Sequence, residues 1–88
     1  MKINNDLRLR RIDNKNFVVA VGEKSKTFNN TVKLNDTAAE IFEQLQKGIS
    51  NEEIAENLAK EYSLSLEEVL SDVKNVVSQF EKAGFFND

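Results

Sequence analysis

Two pairs of adjacent carboxylates, Glu52-Glu53 and Glu67-Glu68, come nearest in this 88-residue chain to a general acid–base couple. Their context gives them a different job. Ser50 precedes Glu53 by three residues, and Ser65 precedes Glu68 by three. Ile49 and Ile54 flank the first set, and Leu64 and Val69 the second. Each is a capping box with a hydrophobic staple, in which the acids favour the positive end of a helix. The chain has no His and no Cys, which removes imidazole bases, thiol nucleophiles, disulfides and thiolate or imidazole zinc sites. It has only three Gly, no glycine-rich phosphate loop and no acidic calcium loop. The residues therefore predict a non-enzyme, with no metal site and no cofactor. The remaining candidates are cations: Lys33, and Arg8 and Arg10 further back. They read either as a solvated strand face or as a patch facing an acidic ligand.

Twelve Lys and Arg against fifteen Asp and Glu give a net charge of -3. That value conceals a division. Residues 1–35 carry eight basic and three acidic groups, hence +5; residues 36–88 carry four basic and twelve acidic groups, hence -8. The length predicts one domain spanning 1–88. No run of 18 apolar residues exists, and the first residues lack the apolar stretch of a signal peptide, so a cytoplasmic location is expected, with no membrane partner.

The elements that position these groups follow from periodicity. Leu7 to Ile12 alternates at first, with Leu7 and Leu9 on one face and Arg8 and Arg10 on the other; Ile12 breaks the phase, so a bulge or strand end is expected near Arg11. Asp13 to Asn16 reads as a turn, Phe17 to Gly22 as a strand apolar on both faces, either central or covered on both sides, and Gly22 to Ser25 as a second turn. Thr27 to Asn30 is ambiguous, and Thr31 to Leu34 alternates again with Val32 and Leu34 inward. Asn35 or Asp36 is expected as the N-cap of a first helix that runs to about Lys47, before Gly48. A second helix spans about Asn51 to Tyr62, with Ile54, Ala55, Leu58, Ala59 and Tyr62 inward. A third spans about Leu66 to Ala83, with Leu66, Val69, Leu70, Val73, Val76, Val77 and Phe80 inward. The tight joint at Ser63-Leu64 predicts a sharp crossing, as in a helix-turn-helix. The fold class is α+β: a three-stranded antiparallel meander, then a three-helix bundle resembling a winged helix-turn-helix.

Taken in order, Leu34 to Phe42, Gly48, Ser50 to Ala55, Leu58, Tyr62, Val69, Asp72-Val73, Phe80 and Gly84 resemble the PqqD family. The likeness covers Leu7 to Phe86 and rests on spacing rather than on one diagnostic motif. It implies a peptide-binding adaptor without catalysis. Such an adaptor binds the leader of a ribosomally made precursor as a strand beside the third strand, in a cleft against the third helix. It presents that leader to a modifying enzyme, often a radical S-adenosylmethionine protein. Quinone-pathway members carry Cys-Asp-Gly at the end of the first helix. Here Gln46-Lys47-Gly48 stands there, which points away from pyrroloquinoline quinone as the product and leaves the peptide role intact.

The peptide-binding residues expected on this basis are Thr31, Val32, Lys33 and Leu34 on the edge strand, and Val69, Asp72, Val73 and Val76 on one margin of helix three. The opposite margin, Leu70 and Val77, is the alternative. Each apolar residue in this set also reads simply as core. Positive charge on the strands predicts a leader with acidic residues and salt-sensitive affinity. An unpaired edge also permits a homodimer. The competing function is a winged-helix DNA-binding or regulatory domain. Against it, helix three offers Glu67, Glu68, Asp72 and Glu81 and only Lys74 and Lys82 to meet phosphate, so nucleic acid is not the expected partner.

Overall fold

The computed structural model describes residues 2–26 and 31–86. Strands β1 (Leu7–Ile12), β2 (Lys15–Ala20) and β3 (Val32–Leu34) form an antiparallel sheet in the order β1-β2-β3. A short 3-10 helix, Gly22–Lys26, follows β2 where a plain turn was expected. Helices α1 (Asp36–Gln46), α2 (Asn51–Tyr62) and α3 (Leu66–Lys82) then complete the α+β fold.

The hairpin is tighter than the composition suggested. Asp13 and Asn14 alone form the turn, both at positive φ, the backbone that a two-residue hairpin requires and that Asp and Asn tolerate. The pairing runs unbroken from Leu7 opposite Ala20 to Ile12 opposite Lys15. Of the two outcomes expected near Arg11, the strand end is the one observed, at Ile12 and without a bulge, and Ile12 keeps the strand phase by standing 57% exposed. Strand β2 is central, one of the two placements expected: Val18 is buried on the inner face, and Phe17 and Val19 are half-buried on the other. Thr31 lies just before β3 and is exposed, and the ambiguous Thr27 to Asn30 falls outside the described residues.

The helices begin at their caps. Asn35, not Asp36, is the N-cap of α1, its side chain accepting from Ala38 N at 2.8 Å. Ser50 and Ser65 accept from the amides of Glu53 and Glu68 at 3.2 and 3.3 Å. Satisfying these otherwise orphaned amides fixes the starts of α2 and α3 within one residue of expectation. Between them Ser63 adopts a left-handed conformation, and its neighbour Leu64 returns a hydrogen bond to Ala59 O at 3.0 Å. This reverses the chain in two residues and packs α2 against α3.

The core joins the sheet's inner face to all three helices through Leu7, Val18, Leu34, Ile41, Phe42, Ile54, Leu58, Val73 and Phe80. Phe42 meets Phe80 and Phe85 edge to face, with centroids 5.9 and 5.7 Å apart. Two expected core residues are not in it. Tyr62 is 45% exposed and Leu66 49%, because each lies at the α2–α3 joint, at the last position of α2 and the first of α3. Leu64 is 51% exposed for the same reason, although it was expected to staple onto Val69. Conversely, Ile3 is fully buried and bridges Phe86, so the two ends of the described chain meet.

Candidate functional site

The site is built where β3 runs into α1. Asn16 is 4% exposed and sits opposite Leu34 in the sheet. Its amide donates to Leu34 O at 3.3 Å and to Asp36 Oδ1 at 2.9 Å, while its oxygen accepts from Arg11 at 3.1 Å. Arg11 also reaches Asp36 at 3.4 Å. The Asn16 hydrogen bond, and after it Arg11, lowers the Asp36 pKa below its usual 3.8. One buried amide thus ties all three strands to the first turn of α1 and sets the direction in which the free edge of β3 leaves the sheet.

Beyond that turn lies a pocket of about 270 Å³. Its apolar floor is Ile41 of α1, Leu58 of α2, and Val69 and Val73 of α3, all buried. Its rim carries Thr37, Tyr62, Leu64 and Asp72. Tyr62 donates to Glu40 Oε1 at 2.7 Å, spanning from α2 to α1, and the bond to that acid, with Glu61 second, raises the phenol pKa. The pocket's volume lies just below the roughly 300 to 1,000 Å³ of pockets for whole small-molecule ligands. The open joint that exposes Tyr62, Leu64 and Leu66 is also what creates the pocket.

Of the residues expected on α3, the pocket gathers Val69, Asp72 and Val73. Val76 is half-buried against the core and outside the lining. On β3, Val32 is half-buried and Leu34 buried on the inner face, and Lys33 is exposed on the outer face opposite Phe17. Thr31 stands outside the strand. No β3 residue lines the pocket; its lining residue nearest in sequence to β3 is Thr37, in the first turn of α1. Sequence reasoning missed Thr37, Ile41, Leu58, Tyr62 and Leu64 as lining residues, and missed Asn16 altogether. The staple at Leu64 and Val69 was the available signal for the pocket; Asn16 gave none, because beside Asp13 and Asn14 it reads as turn.

The β3 edge has no strand partner among the described residues. The β1 edge is partly occupied, since Leu7 O accepts from Gln46 at 2.8 Å and from Arg8 at 3.1 Å. Among the described residues no cluster of three or more acids is placed to hold a metal ion, and no helix is long and apolar enough to cross a membrane. The exposed side of α3 carries Glu67, Glu68, Asp72 and Glu81 against Lys74 and Lys82, a net negative surface that disfavours a nucleic-acid duplex.

A model of the PqqD family, coenzyme PQQ synthesis protein D, matches residues 17–85. No curated protein sequence matches the chain. Among solved structures, TbiB1 in complex with the TbiA(beta) leader peptide has a TM-score of 0.78 and 20% identity over 100% of both chains. Lasso peptide synthetase B1 complexed with the leader peptide has a TM-score of 0.76 and 23% identity over 94% of this chain and 92% of that one. At such identity the likeness is one of fold.

Proposed function

The chain belongs to the PqqD family, and from that premise we propose that it binds the leader of a ribosomally made precursor peptide and presents it to a modifying enzyme. The observations that carry the reading are a β3 edge with no strand partner among the described residues and an apolar pocket floored by Ile41, Leu58, Val69 and Val73. A leader added beside β3 gains main-chain hydrogen bonds whatever its sequence, and alternate side chains supply specificity. Residues facing inward meet Val69, Asp72 and Val73, with Leu64 and Tyr62 at the mouth. Residues facing outward lie beside Lys33, where acidic side chains are favoured. Both similar structures hold a leader peptide, which supports this assignment. The chain itself performs no chemistry in this scheme and works in the cytoplasm, where precursors are made.

The modifying enzyme is proposed to be of the radical S-adenosylmethionine type that the family often serves. A lasso peptide synthetase is the second reading, favoured by the name of one similar structure. Titration of the purified chain with the leader encoded in the neighbouring reading frames tests the function. Binding tighter than about 100 µM, or -5.5 kcal/mol, and weaker at high salt is expected. Failure to bind at that concentration rejects it. Copurification with the neighbouring enzyme then decides between the two partner classes.

A further inference from the structure

The leader does not account for most of the positive charge. The three strands contain three Arg and two Lys and no acid at all. Arg11 points to the helix side and is paired with Asp36. The strand register places Arg8, Arg10, Lys15 and Lys33 on the face opposite Leu7, Val18 and Leu34, and all four are exposed. There they alternate with apolar residues: Arg8 opposite Val19, Lys15 opposite Ile12, and Arg10 and Lys33 on either side of Phe17. Arg10, Lys15 and Lys33 have no ion-pair partner among the described residues.

Strands in a sheet are about 4.8 Å apart, so β1 lies three strands, about 14 Å, from a leader added beyond β3. That exceeds the Debye length of about 8 Å at physiological salt, so Arg8 and Arg10 act only weakly on the leader. A face of one sign also repels itself, a cost that a purely solvating surface with mixed charges avoids. It equally excludes face-to-face pairing of two copies. Partly exposed Phe17, Val19 and Ile12 give it an apolar centre that a nucleic-acid backbone does not use.

We propose that this outer sheet face docks an acidic surface of the modifying enzyme, on the opposite side of the sheet from the leader pocket. The inference rests on the presentation role above and adds the surface and its charge. Three strands of up to six residues cover roughly 20 by 14 Å, well below the roughly 800 Å² that each partner contributes to a standard interface. The contact therefore continues across the β3 edge onto the leader strand, so that leader and enzyme reinforce each other.

The test titrates the purified chain with the purified enzyme encoded beside it, without and with leader, at about 50 and 300 mM salt. R10E/K15E is expected to weaken leader-free enzyme binding at least roughly tenfold and to flatten its salt dependence. R10Q/K15Q is expected to lose an intermediate amount, which guards against a folding defect of the reversed pair. Leader affinity, measured separately by fluorescence anisotropy, is expected to stay within about twofold for both, since neither residue adjoins the β3 edge. Unchanged enzyme binding by both variants overturns the proposal. So does a selective loss of self-association in sedimentation, or of binding to a single-stranded RNA 20-mer, with enzyme binding intact. If the wild-type chain binds enzyme but not leader, the presentation role fails while the docking face stands, so the two failures read apart.

Discussion

Asn16→Ala is the perturbation that most directly probes how the edge is held. Asn16 is nearly fully buried, and its amide is the side-chain donor to Leu34 O. Truncation removes that hydrogen bond, a net loss of about 0.5–1.5 kcal/mol. The exposed Asp36 and Arg11 recover most of their hydrogen bonding from water. With about 1 kcal/mol lost and 4–8 °C per kcal/mol for a domain of this size, Tm should fall by roughly 4–8 °C. The pH dependence provides a second signature. The folded-state pKa of Asp36 is depressed, first by Asn16. Its contribution is therefore present above the unfolded value of 3.8 and lost as pH falls through the lower folded value. In Asn16→Ala that contribution shrinks, so the gap between wild type and variant should be widest near neutrality and narrow below about pH 4 without closing, because the Leu34 carbonyl does not titrate. Thermal unfolding followed by circular dichroism from pH 2.5 to 7 measures both. A Tm change under about 3 °C at pH 7, or a gap that widens in acid, would refute the role given to this amide.

Three further outcomes are expected. N-methylation of the leader one residue at a time should show a two-residue alternation, with sensitive amides losing roughly fivefold or more and the intervening ones nearly silent; a flat profile in isothermal titration rules out strand addition. Leu64→Asp, at a half-exposed position on the pocket rim, should leave Tm within about 3 °C yet weaken the leader by roughly tenfold, and unchanged affinity would move the leader away from the pocket. Ser50→Ala and Ser65→Ala should each cost about 1 kcal/mol in denaturant unfolding, and additively, since they cap different helices.

What the sequence discloses here depends on how local the cause is. The starts of α2 and α3 are written within four residues, Ser50 to Glu53 and Ser65 to Glu68, and both expectations match the caps observed. The apolar stripe of α3 is equally local, and Val69, Val73, Val77 and Phe80 are buried. Tyr62 and Leu66 satisfy the same helical spacing yet stand half-exposed, because exposure there depends on how α2 crosses α3, which spacing within one helix does not encode. Asn16 and Ile3 fail for a related reason. Their partners, Leu34 with Asp36 and Phe86, are distant in the chain, so a polar residue beside a turn and a lone isoleucine near the start carry no sign of being buried.

The charge division also changes meaning once it is placed in space. Strand and helical parts of opposite sign first suggested a leader with acidic residues, without saying where along it they fall. The β3 edge is instead the seam between them, with Lys33 on the outer face and Asp72 on the pocket rim. An added strand alternates between these two sides, so a uniformly acidic leader would place half of its carboxylates toward Asp72. The seam favours acid outward and an apolar or basic residue inward. A charge exchange isolates the two sides. Lys33→Glu should weaken a leader with an outward acid by roughly tenfold and recover it when that residue becomes Lys, while leaving inward substitutions unaffected. Asp72→Lys should do the reverse, improving leaders with an inward acid. Fluorescence anisotropy with the four charge-swapped leaders measures the coupling directly. Equal responses of both variants to both leader positions would mean that the leader does not alternate across the seam, and the strand geometry proposed for it would be wrong.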